Sequence, residues 1–335
     1  MRLVWGSVQG VRRLASGIQE LDVKLPGAEA GNDVAICYPE LSGECAEGDE
    51  VLLNTTAVDL MLGTGGRHFV VARAGSGVAL DDPSRGHIMK LRYTPLQRDV
   101  LAVESPESPH HGVMASANSL AGMPVVCCGL HSHVPLVAAA AKHANASLKI
   151  AYCMTDSGSL ALALSDNVRA GIDTGLLDAT ITCGQAFGGQ LEAVNVHSGL
   201  LAARHVVRAD VAIVAIGPGV VGTTTPLGHG GVAQGEAINA VASLGGSPVA
   251  VLRMSFADAR ARHRVVSHHT LTALSRIALA EAIVPVPLLP DDLAEKVDEA
   301  LEESGIASRH RCVTAAVSTP PDLRGIRVST MGRGP

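Results

Sequence analysis

Between Asp210 and Glu236 the chain carries no formally charged side chain, over a stretch that reads VAIVAI, then GPGVVGTTTPLGHGG, then VAQG. An uncharged stretch of this length raises the question of a membrane span. Pro218, Pro226 and a run of three threonines make it a poor lipid-facing helix. The pattern instead predicts a buried strand, a glycine-rich loop and the start of a helix, which is a repeating unit of parallel α/β sheets.

The same alternation of apolar runs and helical patterns extends from Pro124 to Val317. Its strand candidates are PVVCCGL, SLKIAYC, LLDATITC, VAIVAI, SPVAVLRM, IVPVPLL and CVTAAV. Helical patterns separate them, with starts expected at Ser159 and at about Gln190. Alternating strands and helices predict right-handed crossovers and a doubly wound, mainly parallel α/β domain. The composition agrees, with 47% hydrophobic and 17% charged residues, because the strands of such a sheet are covered on both faces.

The first hundred residues have a different pattern, in which short apolar runs are separated by turn signals. Leu21, Val23 and Leu25 alternate with polar residues, and further runs are VAIC, VLLN, HFVVA and VLAV. About seven short strands at this spacing predict a small β barrel or sandwich. The expected organisation is a β domain over 1–104, a linker over 105–123, a Rossmann-like α/β domain over 124–317 and a flexible tail over 318–335.

Composition and charge exclude several partners. The net charge of −6 and an aromatic content of 2% argue against nucleic acid and against an acidic membrane surface. The seven cysteines include no C-x-x-C pair, which excludes a zinc ribbon and indicates reduced, mostly buried thiols. Polar residues interrupt the first apolar stretch too early for a signal peptide. We therefore expect a cytoplasmic protein, and the apolar composition is compatible with a homo-oligomer.

In open α/β sheets, ligands bind beyond the carboxyl ends of the strands. The residues that follow each expected strand are therefore the candidates for a site. They are His131, Ser132 and His133; Thr155, Asp156 and Ser157; Gly184, Gln185, Gly188 and Gly189; the loop from Gly217 to His229; and Arg253, Ser255, Asp258, His268 and His269.

The glycine-rich loop matches two phosphate-binding motifs, neither of them cleanly. It fits G-x-G-x-x-G, and it fits the P-loop pattern with Thr223 where the lysine belongs. Without that lysine, a standard NTPase site is not supported. Backbone N–H groups of such a loop can still bind an anion, and a tight turn that lets strand and helix pack closely is the alternative. The candidate anion or cofactor ligands are Gly217, Gly219, Gly222, Thr223, Thr224 and Thr225.

The histidines offer acid–base or metal chemistry. On an extended segment, His131 and His133 would point the same way and could begin a metal site. Asp156, His229 and His268 are the residues that could complete it. Asp156 is also a candidate cap for the helix expected from Ser159. In the adjacent pair His268-His269, at most one side chain is expected to face a site, since helical neighbours diverge by about 100°.

Several blocks of the sequence resemble a known family. They are LLNTTAVDLMLGTGG, GHIMKLRYTPLQ, SPHHGVM, MTDSGSLALALS, AFGGQLEAVNVHSGL, IGPGVVGTTTPLGHGG and SHHTLTAL. Together they are similar to a bacterial family catalogued as domain of unknown function 3866. The family pattern has an aromatic residue at the position of Arg67 and glycine at that of Thr224. The resemblance covers most of the chain and implies no activity, substrate or catalytic residue.

The sequence thus leads to one main hypothesis and two alternatives. The main hypothesis is an enzyme that acts on a small anionic metabolite, with a divalent metal or a phosphate-bearing ligand at the strand ends. If a metal is bound, a metal-dependent hydrolase or lyase is the expected class. The alternatives are an NAD(P)-dependent oxidoreductase and a non-catalytic ligand-binding or assembly protein.

Overall fold

The computed structural model describes residues 1–15, 17–27, 32–62, 66–75, 77, 86–316 and 321–328. These residues form two compact units, Met1–Val100 and Leu101–Val328. Most of the expected tail lies outside the described residues, and so does most of the turn signals GTGG and DDPSRG. The expected order of a small β unit followed by an α/β unit is confirmed.

The first unit is a closed barrel with strand order β1-β2-β3-β5-β4, accompanied by a β6–β7 hairpin. Its strands are β1 (Leu3–Ala15), β2 (Ile18–Lys24), β3 (Asp33–Cys37), β4 (Glu50–Asn54), β5 (Arg67–Arg73), β6 (Ile88–Lys90) and β7 (Arg98–Val100). Its helices are α1 (Pro39–Ser42) and α2 (Thr56–Asp59). Strand β1 was not expected, because its apolar residues are interrupted by glycine, glutamine and arginine.

Alternate side chains along the strands point inward and fill the barrel. On β2, Leu21 and Val23 point inward and are fully buried, and they meet Val51 and Leu53 of β4 in one apolar cluster. This is the period-2 pattern of a strand with one buried face. Closure leaves these strands without a free sheet edge.

The second unit is a parallel sheet with strand order β11-β10-β9-β12-β8-β13-β16-β17 within the described part of the chain. Its strands are β8 (Pro124–Cys127), β9 (Ile150–Thr155), β10 (Ala179–Cys183), β11 (Leu191–Ala193), β12 (Val211–Ile216), β13 (Ser247–Ala250), β16 (Ile283–Pro287) and β17 (Arg311–Ala315). A short antiparallel hairpin, β14 (Met254–Ser255) with β15 (Val265–Val266), follows β13.

Helices cover both faces of this sheet, as in a doubly wound fold. They are α3 (His111–Ser116), α4 (His133–Ala144), α5 (Asp166–Asp173), α6 (Val196–His205), α7 (Ala233–Ser243), α8 (His268–Thr272), α9 (Asp291–Glu303) and α10 (Ile306–Arg309). One turn of π-helix, Ala273–Ile277, continues α8. On β12, Ala212 and Val214 pack with α6 and α7, whereas Ile213 and Ala215 pack with α4 and α5. Both faces of the strand are therefore apolar, which explains why VAIVAI contains no charged residue.

Two helices begin later than expected. The helix expected from Ser159 begins at Asp166, because the Ser165 hydroxyl accepts a hydrogen bond from the Val168 amide and caps it. The helix expected from about Gln190 begins at Val196, after the short strand β11. Side-chain caps of this kind fix where a helix starts more firmly than the apolar pattern does.

The expected linker lies inside the second unit. Within 105–123, α3 forms, and Met114, Leu120 and Met123 are buried in the main apolar cluster. Residues 321–328 of the expected tail include the buried Ile326, and the Arg324 guanidinium donates to the Thr174 carbonyl. Among the helices described, none is long and apolar enough to cross a membrane.

Candidate functional site

The centre of the sheet brings four strand ends together. Strand β12 pairs with both β8 and β9, and β13 pairs with the other side of β8. Since all these pairs are parallel, the loops that follow the strands emerge at one edge of the sheet. The structure therefore places the sequence-predicted residues along this carboxyl edge.

His131 is held from both sides of its ring. Its Nδ1 lies 3.2 Å from the Ile216 carbonyl oxygen and from the Tyr152 hydroxyl, and its Nε2 lies 2.6 Å from the Ser165 hydroxyl. A carbonyl can only accept, so Nδ1 carries the proton and Nε2 accepts from Ser165. Burial lowers the pKa of His131 to about 4. The neutral ring thus joins the loop after β8 to the end of β12 and to the cap of α5.

The extended geometry expected for His131 and His133 is not found. Strand β8 ends at Cys127, and His133 is already the first residue of α4. The two side chains therefore do not follow the period of a strand. The His133 Nδ1 is buried without a hydrogen-bond partner among the described residues. Burial and the charge of Arg253 lower the pKa of His133 to about 4.

Asp156 stabilises a neighbouring turn and does not cap a helix. Its carboxylate accepts a hydrogen bond of 2.9 Å from the Gln185 amide, in the loop after β10. Gly184 precedes that amide with a positive φ of 68°, and a Cβ there would lie 2.3 Å from the carboxylate. The expected alternative role as a cap belongs to Ser165 instead.

The glycine-rich loop does not have the shape of a nucleotide-binding turn. In dinucleotide-binding folds the glycines lead directly into a helix, whose N-terminus faces the phosphates. Here Gly217 is buried against the backbone of Ser159, and α7 begins only at Ala233. Residues 221–227 between them are exposed.

The threonines of this loop bond within the loop. The Thr223 hydroxyl lies 2.8 Å from the Thr225 hydroxyl, and the Thr223 amide donates to the Gly228 carbonyl. Gly222 pairs with His229 across the base of the loop. The two remaining candidates are Gly219, which has a positive φ of 86°, and Thr224, which is exposed. The loop folds back on itself and sets the position of His229.

At the base of the loop, four histidines pack ring to ring. His229 stacks on His269 with ring centroids 4.0 Å apart, and His268 lies 4.4 Å from His269. His263 lies 5.0 Å from both His268 and His269. We call His229, His263, His268 and His269 the histidine cluster. The sequence places three of its members after β13, on the hairpin and on α8.

Three members of the cluster bring ring nitrogens close together. One ligand atom each from His229, His268 and His269 lies within 4.8 Å of the others, and no further group of this kind occurs in the described residues. The His229 Nδ1, the His268 Nε2 and the His269 Nδ1 are buried, and none has a hydrogen-bond partner among the residues described. Such nitrogens can accept a proton or bind a metal ion.

The surroundings of the four rings favour the neutral form of histidine. Burial lowers the pKa of His229 and of His268 below the ordinary value for histidine. Burial lowers the pKa of His263 to about 4, with the charge of Arg253 as the next cause. Burial and the neighbouring His229 lower the pKa of His269 to about 3. Neutral imidazoles are bases and metal ligands, whereas imidazolium is neither.

His268 and His269 both contribute to the histidine cluster, although at most one of them was expected to face a site. The divergence of about 100° holds for the Cα–Cβ bonds, but both rings reach the cluster. Both residues lie in the first turn of α8, which Ser267 caps by accepting from the His269 amide. The Ser267 hydroxyl also lies 2.7 Å from the Nδ1 of His263. His263 was missed in the sequence, where its spacing from His268 was the available signal.

Arginine side chains contribute positive charge near the cluster. Arg253 is joined to the first turn of α8 through its backbone, because its carbonyl accepts from the Ser267 amide and its amide donates to the Thr270 hydroxyl. Asp258 forms a two-bond ion pair with Arg260 and lies 3.8 Å from Arg253. We call residues 253–264, which include the β14–β15 turn, the arginine hairpin.

Comparison with known proteins identifies a family. Curated proteins give no match to the chain. The family description that matches residues 34–335 reads "Protein of unknown function (DUF3866)". The match includes part of the barrel and all of the sheet, so the resemblance of the separate sequence blocks is confirmed. The chain belongs to this family.

Proposed function

We propose that the protein is an enzyme that acts on a small anionic metabolite at the carboxyl edge of its parallel sheet. The observation that carries this proposal is the position of the arginine hairpin beside a buried cluster of neutral imidazoles. Positive side chains can bind and orient the anion, and neutral imidazoles can take up or deliver protons at its reacting atom. Enzymes of this fold class bind their substrates at this edge.

The local charge favours an anion. The arginine hairpin contains Arg253, Arg260, Arg262 and Arg264 against the single acid Asp258, which gives 4 − 1 = +3 in a chain of net charge −6. A positive region in a chain of negative net charge attracts anions. Guanidinium groups also match the geometry of carboxylate and phosphate.

Two features argue against an oxidoreductase and against a protein that only assembles. The glycine-rich loop bonds within itself and stands apart from the start of α7, which does not fit a dinucleotide site. Buried imidazole nitrogens without partners are costly in a protein that only assembles or packs. Their retention at one place favours a site where a ligand satisfies them.

Replacement of Arg253 by glutamine tests the proposal. Wild-type protein is screened by thermal shift against a panel of phosphorylated and carboxylic metabolites, and hits are measured by calorimetry. Loss of a charge-assisted hydrogen bond costs about 1.5–3 kcal/mol, so we expect the dissociation constant to rise by roughly 10- to 100-fold. Proton NMR of each hit with wild-type protein then shows whether it is converted.

The matched control is Arg311→Gln on the exposed strand β17, which should bind the hit as wild type does. Equal binding by wild type and the Arg253→Gln variant would contradict the proposed site. Binding without conversion of any hit would favour the non-catalytic alternative.

A further inference from the structure

We propose that His229, His268 and His269 bind one divalent transition-metal ion of the Zn²⁺ type and leave a coordination position open at the carboxyl edge. The metal site stands on the geometry of these three side chains. Its use in catalysis rests on the proposed function. The site differs from the His131 and His133 pair that the sequence suggested.

His229 is prepared as a ligand by the glycine-rich loop. Its Nε2 lies 3.0 Å from the Pro226 carbonyl oxygen, which can only accept, so Nε2 carries the proton. The lone pair therefore resides on Nδ1, the buried atom that has no partner in the described part of the chain. Metal-binding histidines characteristically donate their second N–H to a carbonyl or carboxylate, which fixes tautomer and orientation.

His268 and His269 are held by the capped first turn of α8. The Ser267 cap fixes the His269 amide, and the ring of His269 stacks on His229. The His268 Nε2 and the His269 Nδ1 are both buried without a partner among the described residues. Each would lose its hydration on folding and gain nothing in return. A bound cation supplies the missing interaction for all three nitrogens at once.

A glycine keeps the space between these rings open. A Cβ built on Gly231 would lie 3.0 Å from the His229 Nδ1 and 3.2 Å from the His269 Cβ. Both distances are shorter than ordinary contacts, so a side chain at this position would press on the unpartnered nitrogen. Gly231 thus preserves room beside the atom that is proposed to bind the ion.

The ligand set indicates the kind of metal. Neutral imidazole nitrogens suit Zn²⁺, Cu²⁺, Ni²⁺ and Fe²⁺, whereas Mg²⁺ and Ca²⁺ prefer oxygen. With Zn–N distances of about 2.0–2.1 Å, nitrogens of a tetrahedral site lie about 3.3 Å apart. The three ligand atoms all lie within 4.8 Å of one another, so binding the ion requires the rings, two of which are stacked, to turn until their nitrogens reach this spacing.

Three protein ligands are typical of catalytic rather than structural zinc. No cysteine, aspartate or glutamate joins the group within the described residues, so the fourth position is left for water or for an oxygen of the substrate. Zinc lowers the pKa of a bound water to about 7. The arginine hairpin lies beside this position, where an anion could contact both charges.

The experiment uses the full chain without a histidine tag, stripped of metal with a chelator. Co²⁺ titration is followed by visible absorption and Zn²⁺ titration by calorimetry. We expect one tight site in wild type. His229→Ala, His268→Ala and His269→Ala should each weaken Zn²⁺ binding by about 100-fold or more, and Gly231→Ala, which keeps all three rings, by about 10-fold. Circular dichroism verifies that each variant is folded.

His197→Ala is the matched control, because His197 is exposed on α6; it should bind Zn²⁺ as wild type does. Folded variants of the cluster that bind Zn²⁺ as tightly as wild type would overturn the site. A wild type without a site for Co²⁺ or Zn²⁺ would overturn it as well. Inorganic phosphate titrated into metal-free protein separates the two proposals: phosphate binding without any Zn²⁺ site overturns the metal site and leaves the proposed anion site intact.

Discussion

Replacement of Gly217 by alanine should lower the free energy of unfolding by about 3 kcal/mol or more, at the upper end of overpacking effects. A Cβ at this position would lie 2.2 Å from the Ser159 carbonyl oxygen. The obstacle is backbone, which cannot rotate away as a side chain can. The same contact is fixed by a hydrogen bond of 2.8 Å from the Ser159 amide to the Pro218 carbonyl.

The contact is reciprocal, since a Cβ on Gly158 would lie 2.3 Å from the Gly217 carbonyl oxygen. Gly158→Ala should therefore have a similar cost, and the double variant should cost less than the sum of the two. Gly222→Ala is the control from the same loop, because its added Cβ would meet no atom closer than 3.6 Å. Urea unfolding measures all four. Equal stability of the Gly217 and Gly222 variants would show that the loops are not in contact.

Replacement of His131 by leucine should lower the free energy of unfolding at pH 7 by about 2–3 kcal/mol. The variant leaves the buried Ser165 hydroxyl without its acceptor, and an unsatisfied buried group costs about 1–3 kcal/mol. It also removes the donor to the Ile216 carbonyl. Urea unfolding at pH 7 measures the loss. His143→Leu, at an exposed position of α4, should change stability by no more than about 0.5 kcal/mol.

The difference between wild type and the His131→Leu variant should shrink on acidification. Burial lowers the pKa of His131 from 6.5 to about 4, so between these values the unfolded chain binds the proton and the folded chain does not. Stability of the wild type therefore falls as pH falls from 6.5 to 4, by at most about 3 kcal/mol from this residue. The variant has no histidine at this position, so this part of the fall in stability does not occur in it. A gap between the two proteins that stays constant from pH 7 to pH 4 would contradict the buried, neutral His131.

The architecture could be predicted because the burial of a strand determines the pattern of apolar residues in its sequence. Every residue of VAIVAI is apolar because β12 packs on both faces. In a barrel strand such as β2, buried and less buried residues alternate because only one face points into the barrel. Strand β1 could not be recognised, since its side chains from Leu3 to Arg12 are mostly exposed or half-buried. The helix starts at Asp166 and Val196 depend on single side-chain caps, which a hydrophobic pattern does not contain.

The site could be predicted only in outline. The rule of strand ends led to the edge at which the histidine cluster lies, and His229 and His268 were among its candidates. The contact between His229 and α8 depends on how the glycine-rich loop folds back through its Thr223–Thr225 bond, which no local spacing encodes. In the sequence, His131 was as good a site candidate as His229. In the structure, however, both ring nitrogens of His131 have hydrogen-bond partners within the protein. What separates them is hydrogen-bond satisfaction, a property of the folded state.

The position of β12 has a consequence for how the second unit folds. Val214 pairs with Cys127 of β8 on one side and with Cys153 of β9 on the other, so the earlier strands meet only through a strand made later. During synthesis, β8 has no neighbouring strand in the sheet until β12 has left the ribosome. Until then its backbone is unpaired and its apolar side chains are not covered. Pairings between such distant segments slow folding, and exposed strands invite aggregation meanwhile. The demand on chaperones should therefore be greatest while residues 124–210 are complete and β12 is still missing.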